Sequence, residues 1–492
     1  MLRKTATFLL PALALATMSI VSFGQGTPTN VTFSKQTYTT GPLPQGLVSG
    51  DFNNDGKPDL AVIDQDANHV SILLGTGGGL FTPGSDIATG NQPVQIVTGT
   101  FTLTGKQDLA IANVDKTITV LLGHGDGTFL AETIALQGVP AALVAADLLN
   151  DGLTQLVDVE CTQTNAGSCS LNVYQSDAHA LFQRSQTIPL PGAPIDFGLI
   201  ASEDFNIDGK PDVAVATLTQ VLVFQDVSSF NGTGAAQLKL LTTITPPNTT
   251  IIVGLAAGHF NAGASPDLAI ESFDNLNGTG FPDTDRVYLN TGTSPFSFFL
   301  KGTVPGTRSF GHHLNAADVN GDGIQDLVMA GTGVRSASVQ YALGRGDGTF
   351  TTPVTIAGSD SSSQLIVRDF SLDSRQDLAF TDNNLLAGTE AADVLLNQNA
   401  TVNCAPPGSG TLAVQICAAT TASKSLSVKA AGNSPNGVKR VELWVDGNKL
   451  TQAFSDQLNA KVGVASGSHS VTVVGIDLYD AIVKKTITVT VP

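Results

Sequence analysis

Apolar positions in this chain come in short runs. Leu47-Val48-Ser49-Gly50, Asp59-Leu60-Ala61-Val62-Ile63 and Val70-Ser71-Ile72-Leu73-Leu74 follow one another with turn-forming residues between them, and a further run opens at Phe81. Short apolar runs bounded by Gly, Asn, Asp and Pro predict β-strands, and a set of them joined by tight turns predicts one antiparallel sheet. The pattern then begins again. Aligned on Asp51-Phe52-Asn53-Asn54-Asp55-Gly56-Lys57-Pro58-Asp59, copies start at Asp51, Thr100, Asp147, Asp204, His259, Asp318 and Asp369, at spacings of 47 to 59 residues.

A small sheet cannot bury both faces by itself, so repeated sheets must stack. Radial stacking of such units at this period is the β-propeller. The run before each loop is rich in small residues, as in Leu255-Ala256-Ala257-Gly258, which suits a strand next to a crowded central axis. The chain ends of the array agree. The seventh unit has Leu365-Ile366-Val367-Arg368, Asp377-Leu378-Ala379-Phe380 and Asp393-Val394-Leu395-Leu396 but no fourth strand, whereas Val31 to Tyr38 reads as a strand without a blade. Pairing the two closes the ring and removes an exposed edge. Residues 28–399 are therefore expected to form one closed seven-bladed β-propeller. Residues 404–492 lack the loop motif and show alternating strands near Leu412, Ser425, Val438, Lys449, Ala460, His469 and Ile482, which predicts an immunoglobulin-like β-sandwich. The fold class is all-β.

Composition narrows the picture. With 51 Gly in 492 residues and only 13% charged residues, long helices cannot be written from this sequence. Of 42 acidic residues only six are Glu, and that preference for the shorter side chain suits turns and cation-binding loops better than a merely solubilising surface. The net charge of −18 excludes nucleic acid as a partner. Residues 1–24, with Arg3 and Lys4 before the apolar Phe8 to Val21 and small residues at Ser22-Phe23-Gly24, read as a secretory signal peptide. An uncleaved anchor would need a longer apolar run, and no later stretch could span a bilayer. The expected location is secreted, extracellular or cell-surface, with the periplasm as a further possibility, and the expected state is a monomer. Export makes the four cysteines candidates for disulfides, and proximity along the chain favours Cys161–Cys169 and Cys404–Cys417 among three connectivities.

The loops carry the chemistry. Positions 1, 3, 5 and 9 hold oxygen side chains and position 6 is Gly, the arrangement a hard cation such as Ca²⁺ needs from one tight loop. Three loops are complete: Asp51, Asn53, Asp55 and Asp59; Asp204, Asn206, Asp208 and Asp212; Asp318, Asn320, Asp322 and Asp326. The carbonyls of Lys57, Lys210 and Ile324 at position 7 are expected to complete the shells. A fourth loop, Asp369, Ser371, Asp373 and Asp377, keeps the oxygens but has Ser374 in place of Gly. Loop 3 loses positions 3 and 9 to Leu149 and Gln155, and the loops starting at Thr100 and His259 keep one carboxylate each, Asp108 and Asp267. About four structural Ca²⁺ ions are expected, and Mg²⁺ is disfavoured because it prefers rigid octahedral sites. The plainer reading, that these are Asp/Asn/Gly turns, weakens when complete matches recur in register with a structural repeat.

The loops Asp51 to Asp59 and Asp318 to Asp326 resemble those of FG-GAP/VCBS repeat proteins, the group that includes the integrin α-subunit propeller, and the tail resembles bacterial immunoglobulin-like modules. The resemblance implies a seven-bladed propeller and calcium, and supplies the expectation of adhesion. The glycine-rich stretches Gly123 to Phe129 and Gly344 to Phe350 lack a following Gly-Lys-Ser/Thr and are expected to be hairpin turns between strands 3 and 4 of their blades. His312-His313 and the single Trp444 are read as polar strand-end and packing residues, although an imidazole pair could serve a metal or proton transfer and a Trp could stack on a sugar. No nucleophile-elbow or zinc-protease segment occurs. The expected function is an extracellular binding or adhesion module for protein or glycan partners, not an enzyme. The alternative is a polysaccharide lyase or hydrolase on a calcium-stabilised propeller.

Overall fold

The computed structural model describes residues 31–491 apart from 163–167, 178–180, 193–198, 229–233, 248, 262, 264, 275–282, 293–295, 305–310, 322–323, 332–337, 359–363, 374, 385–388, 399–411, 423–424, 454–456 and 478–480. The signal segment 1–24, Asp322, Ser374 and Cys404 lie outside the described residues, as does the side chain of Cys417.

Seven four-stranded antiparallel sheets form the blades. Their inner strands are Pro44–Gly50, Pro93–Gly99, Val139–Ala146, Ile200–Glu203, Thr249–Gly258, Gly311–Ala317 and Leu365–Arg368. Each inner strand neighbours the next, and the last neighbours the first, so the array is a ring. The seventh sheet is completed by Phe33–Thr39, which pairs antiparallel with Thr389–Asn397 from Phe33 opposite Asn397 to Thr39 opposite Ala391.

The second strand of each blade explains why the sheets must stack. Asp59–Asp64 is buried along its whole length, with Leu60 and Val62 in the cluster shared with blade 7 and Ala61 and Ile63 in the cluster shared with blade 2. Alternate side chains thus enter cores on opposite faces, as expected of a strand buried on both sides. Each of the seven gaps between neighbouring sheets holds one such apolar cluster. The core is a set of wedges around an axis. Cys161 and Cys169 form a disulfide across the second and third strands of blade 3.

An eighth apolar cluster belongs to the C-terminal sandwich. One sheet is built from Ala413–Ala422, Ser425–Asn433 and Gln457–Gly463, the other from Asn448–Ala453, Val438–Val445, Gly467–Asp477 and Ile482–Val491. Trp444 is half-buried and donates from Nε1 to Glu442 Oε2 at 2.8 Å; Glu442 also accepts from Arg440 Nε at 2.9 Å and Lys449 Nζ at 2.7 Å. That cluster gives Trp444 a packing and hydrogen-bonding role.

Candidate metal loops and the axial channel

Each loop joins the end of an inner strand to the second strand of its blade. In blade 1, Asp51 accepts from Asp55 N at 3.1 Å and Gly56 N at 2.9 Å, Asn53 Oδ1 from Asp55 N at 3.0 Å, and Asp55 Oδ1 from Lys57 N at 2.9 Å. Blade 4 repeats the ladder: Asp204 accepts from Asp208 N at 3.0 Å and Gly209 N at 2.9 Å, Asn206 from Asp208 N at 2.9 Å, and Asp208 from Lys210 N at 3.0 Å. The side-chain oxygens at positions 1, 3 and 5 therefore all turn inward over the loop's own backbone. The turn demands left-handed backbone at positions 4 and 6, where φ is 56° and 81° at Asn54 and Gly56 and 59° and 88° at Ile207 and Gly209. Asn and Gly accept that conformation cheaply, but a β-branched residue does not. Ile207 is 49% exposed and buries little in return. Ile207→Asn is therefore expected to stabilise the chain by about 1 kcal/mol, read as a raised melting temperature in chelator.

In blade 6, Asp318 accepts from Gly321 N at 2.8 Å. In blade 7, Asp369 accepts from Asp373 N at 3.0 Å and from Ser371 Oγ at 3.3 Å, but Asp373 already holds the Arg375 guanidinium through Nε at 2.8 Å. Blade 3 keeps the geometry of positions 1 and 5 but not the side-chain oxygen at position 3: Asp147 accepts from Asp151 N at 3.1 Å and Gly152 N at 2.9 Å, Asp151 accepts from Leu153 N at 3.0 Å, and Leu149 is buried.

Position 9 has a role that the motif alone does not reveal. Asp59 accepts from Phe52 N at 2.8 Å with one oxygen and from Gly75 N at 2.7 Å with the other, tying the loop to the end of the third strand. Asp108 does the same with Phe101 N and Gly123 N, both at 2.8 Å, and Asp267 with Phe260 N at 3.0 Å and Asn290 N at 2.8 Å, although their loops carry no other carboxylate. Asp326 follows with Val319 N at 3.0 Å and Gly344 N at 2.8 Å, and Asp377 with Phe370 N at 2.9 Å and Asn397 N at 2.8 Å. Asp212 accepts from Asn206 N at 3.2 Å and Asp226 N at 2.8 Å. In blade 3, Gln155 substitutes by accepting from Leu148 N at 2.7 Å. The position-9 carboxylate ties its loop to the third strand in six blades, and Gln155 keeps only the loop half of that contact in blade 3.

Two other loop positions escaped the sequence reading. The position-2 aromatic of one blade packs edge-on against a fourth-strand aromatic of the next, as in Phe52–Phe129 and Phe101–Phe182, with ring centroids 5.7 and 5.4 Å apart. The position-8 residue reaches back to the preceding blade: Gln107 Oε1 accepts from Asp51 N at 2.7 Å, and Thr154 Oγ1 accepts from Thr100 N at 3.0 Å. The glycine-rich stretches are hairpin turns, and they also stitch blades, with Gly127 N donating to Phe52 O at 2.9 Å and Gly348 N to Phe260 O at 2.8 Å.

Electrostatics separates the loops. Burial raises Asp108 to about 6 and Asp267 to about 7 with no acidic neighbour contributing. Burial also raises Asp59 and Asp204 to about 6 and Asp377 to about 7, with charge repulsion from the other loop carboxylates added. Asp212 goes furthest, to about 8, because burial is compounded by Asp204 and Asp208. Clustered oxygen donors that repel one another fit a hard divalent cation, which would neutralise them. Among the described residues no group of three or more His, Cys, Asp or Glu forms a ready-made metal cluster.

The inner strands enclose an axial channel of about 730 Å³. Amide side chains sew its wall: Gln364 Oε1 accepts from Leu47 N at 2.9 Å, Gln95 accepts from Leu143 N and donates to Leu143 O, both at 2.8 Å, and Asn315 Nδ2 donates to Leu365 O at 3.0 Å. Among the described lining residues, Glu203 and His313 are the ionisable ones; the side chain of His312 lies outside the described residues.

A family model for the FG-GAP-like repeat matches residues 51–102 and 318–380, and one for the bacterial Ig domain matches 417–473. The chain carries FG-GAP-like repeats followed by a bacterial Ig domain. The matched FG-GAP-like segments contain the loops starting at Asp51, Asp318 and Asp369. Two crystal structures of BBS1N in complex with ARL6DN, soaked with mercury or lead, are similar in fold at a TM-score of 0.51, with 12% and 13% identity over 75% of this chain and 98% of theirs. The WD40 domain of Neurospora crassa Pan2 is similar at a TM-score of 0.43, with 9% identity over 73% of this chain and 96% of that one. No curated protein matches the chain. No helix among the described residues is long and apolar enough to cross a membrane.

Proposed function

We propose that this chain is an exported, calcium-stabilised propeller that binds an extracellular protein or glycan, with Ca²⁺ in the loops starting at Asp51, Asp204, Asp318 and Asp369. The calcium reading is carried by the inward-turned oxygens of the Asp51 and Asp204 loops, with Asp204 and Asp208 adding their repulsion to the effect of burial on Asp212. The position-5 carboxylates of two loops are already paired, Asp55 with Lys57 Nζ at 2.9 Å and Asp373 with the Arg375 guanidinium, and the Asp369 loop also has Ser in place of Gly at position 6.

Binding is favoured over polysaccharide cleavage by the lining of the channel. Hydrolysis or elimination needs two or three ionisable groups converging on one bond. Here Glu203 ends its inner strand at the loop-bearing mouth, whereas His313 lies four residues before the equivalent Ala317, roughly 13 Å away along a strand. Glu203 is also paired with Lys439 at 2.8 Å. FG-GAP-like repeats joined to a bacterial Ig domain accord with a surface or extracellular setting, and BBS1N offers a propeller-like neighbour crystallised with a protein partner. A glycan and surface-protein array probed with and without Ca²⁺ tests the reading. Retained, calcium-dependent binding is expected; bond cleavage on a polysaccharide panel without retained binding would reverse it.

A further inference from the structure

At the loop-bearing mouth five inner strands end in a small residue, Gly50, Gly99, Ala146, Gly258 and Ala317, each opposite position 9 of its own loop. The remaining two end in Glu203 and Arg368. Small residues leave the mouth wide, and both long charged side chains engage the same object. Lys439 of the Ig domain pairs with Glu203 at 2.8 Å, with side chains only 15% and 14% exposed. Arg368 donates from Nη2 to Pro435 O at 3.0 Å while its Nη1 donates to Ser49 Oγ at 3.0 Å. Gln107, whose carbonyl oxygen holds the blade 1 loop, donates from Nε2 to Asn436 Oδ1 at 2.6 Å.

The inserted segment is shaped from within the sandwich. Gly437 N donates to Ser434 O at 3.0 Å with Gly437 at φ 81°, and Asp477 Oδ2 accepts from Ser434 Oγ and Asn436 Nδ2, both at 3.1 Å. A turn fixed in advance loses little entropy on docking. A crevice of about 180 Å³ between the domains is lined by Ala257, Ala317 and Arg368 on one side and Asn433, Ser434 and Lys439 on the other.

Blade 5 adds a separate indication. Its loop starts with the buried His259, whose imidazole is held well below its usual range by burial and then by the positive charges of Arg440, Lys449 and Lys439. The Ig domain's basic residues thus lie within electrostatic reach of the blade 5 loop.

We propose that the Ig domain is a built-in stopper: the Ser434–Gly437 turn and Lys439 close the loop-bearing mouth of the axial channel, so that an external ligand enters the channel only from the opposite mouth. The contact joins Lys439 to Glu203, Arg368 to Pro435 and Gln107 to Asn436, and none of these is a candidate calcium ligand. Its failure is thereby distinguishable from failure of the calcium reading.

The test uses the full chain with Lys439→Glu, Glu203→Lys and the double charge swap, followed by amide hydrogen exchange and small-angle X-ray scattering in calcium and in chelator. Each single reversal is expected to speed exchange of the amides from Asn436 to Lys439 by about tenfold and to lengthen the molecule, and the double swap to restore both. Single variants indistinguishable from wild type, or a double swap that restores neither, would overturn the proposal. The unmodified chain gives a check that needs no variant: those turn amides are expected to be as protected as the inner strands, and exchange at the rate of a free turn would overturn it equally.

Discussion

Removing Ca²⁺ with a chelator is expected to lower the melting temperature of the chain, and restoring it to recover the loss. A site held at a hundredfold excess over its dissociation constant contributes about 2.7 kcal/mol, and four such loops make this the largest single effect anticipated for the molecule. The substitution that identifies the cause is Asp208→Asn. Asp208 is exposed, and an amide oxygen can still accept from Lys210 N as the carboxylate does at 3.0 Å, so the turn survives. What changes is the charge, together with the acceptor that Asn206 Nδ2 finds in Asp208 Oδ2 at 3.1 Å. Asp208 is one of the two carboxylates that raise Asp212 beyond the effect of burial. The variant is thus expected to stay close to the parent in chelator, where relieved repulsion offsets one lost exposed hydrogen bond, and to fall clearly below it in calcium, measured by paired thermal melts. Equal shifts in both conditions would assign Asp208 to the turn alone.

Asp108→Ala is expected to cost about 2–4 kcal/mol, and by the same amount with and without calcium. One buried and one part-buried backbone donor, Phe101 N and Gly123 N, lose their acceptor together, and an orphaned buried N–H costs roughly 1–3 kcal/mol. The loop of blade 2 carries no second carboxylate, so no ion site is lost with it. Denaturant unfolding in the two conditions separates this latch from the calcium loops: a cost seen only in calcium would mean that Asp108 is a ligand after all.

The contrast between these two residues marks what could be read from the chain. Blade boundaries were legible because each loop repeats the same local chemistry, and local chemistry leaves a linear trace: left-handed backbone at Gly56 and Gly209, acceptors at Asp51 and Asp204. The ring closure was legible from a missing strand at one end and a spare strand at the other. Position 9 reads as a fourth ligand in the motif, and its second role, holding two backbone amides, shows most plainly in blades 2 and 5, where Asp108 and Asp267 keep it without other loop carboxylates. Phe52 and Gln107 were passed over because their partners lie in the neighbouring blade, 77 and 56 residues away at Phe129 and Asp51, beyond any local pattern. The seat of the Ig domain was invisible for the same reason. Glu203 and Lys439 are ordinary surface residues until the ring brings seven strand ends to one mouth.

Anomalous scattering from crystals grown in calcium tests the central claim most directly. Peaks coordinated by the loops starting at Asp51, Asp204, Asp318 and Asp369 at about 2.3–2.6 Å, with none at Thr100 or His259, are predicted. Calcium absent from the first three of those loops, or present equally at Thr100 and His259, would contradict it.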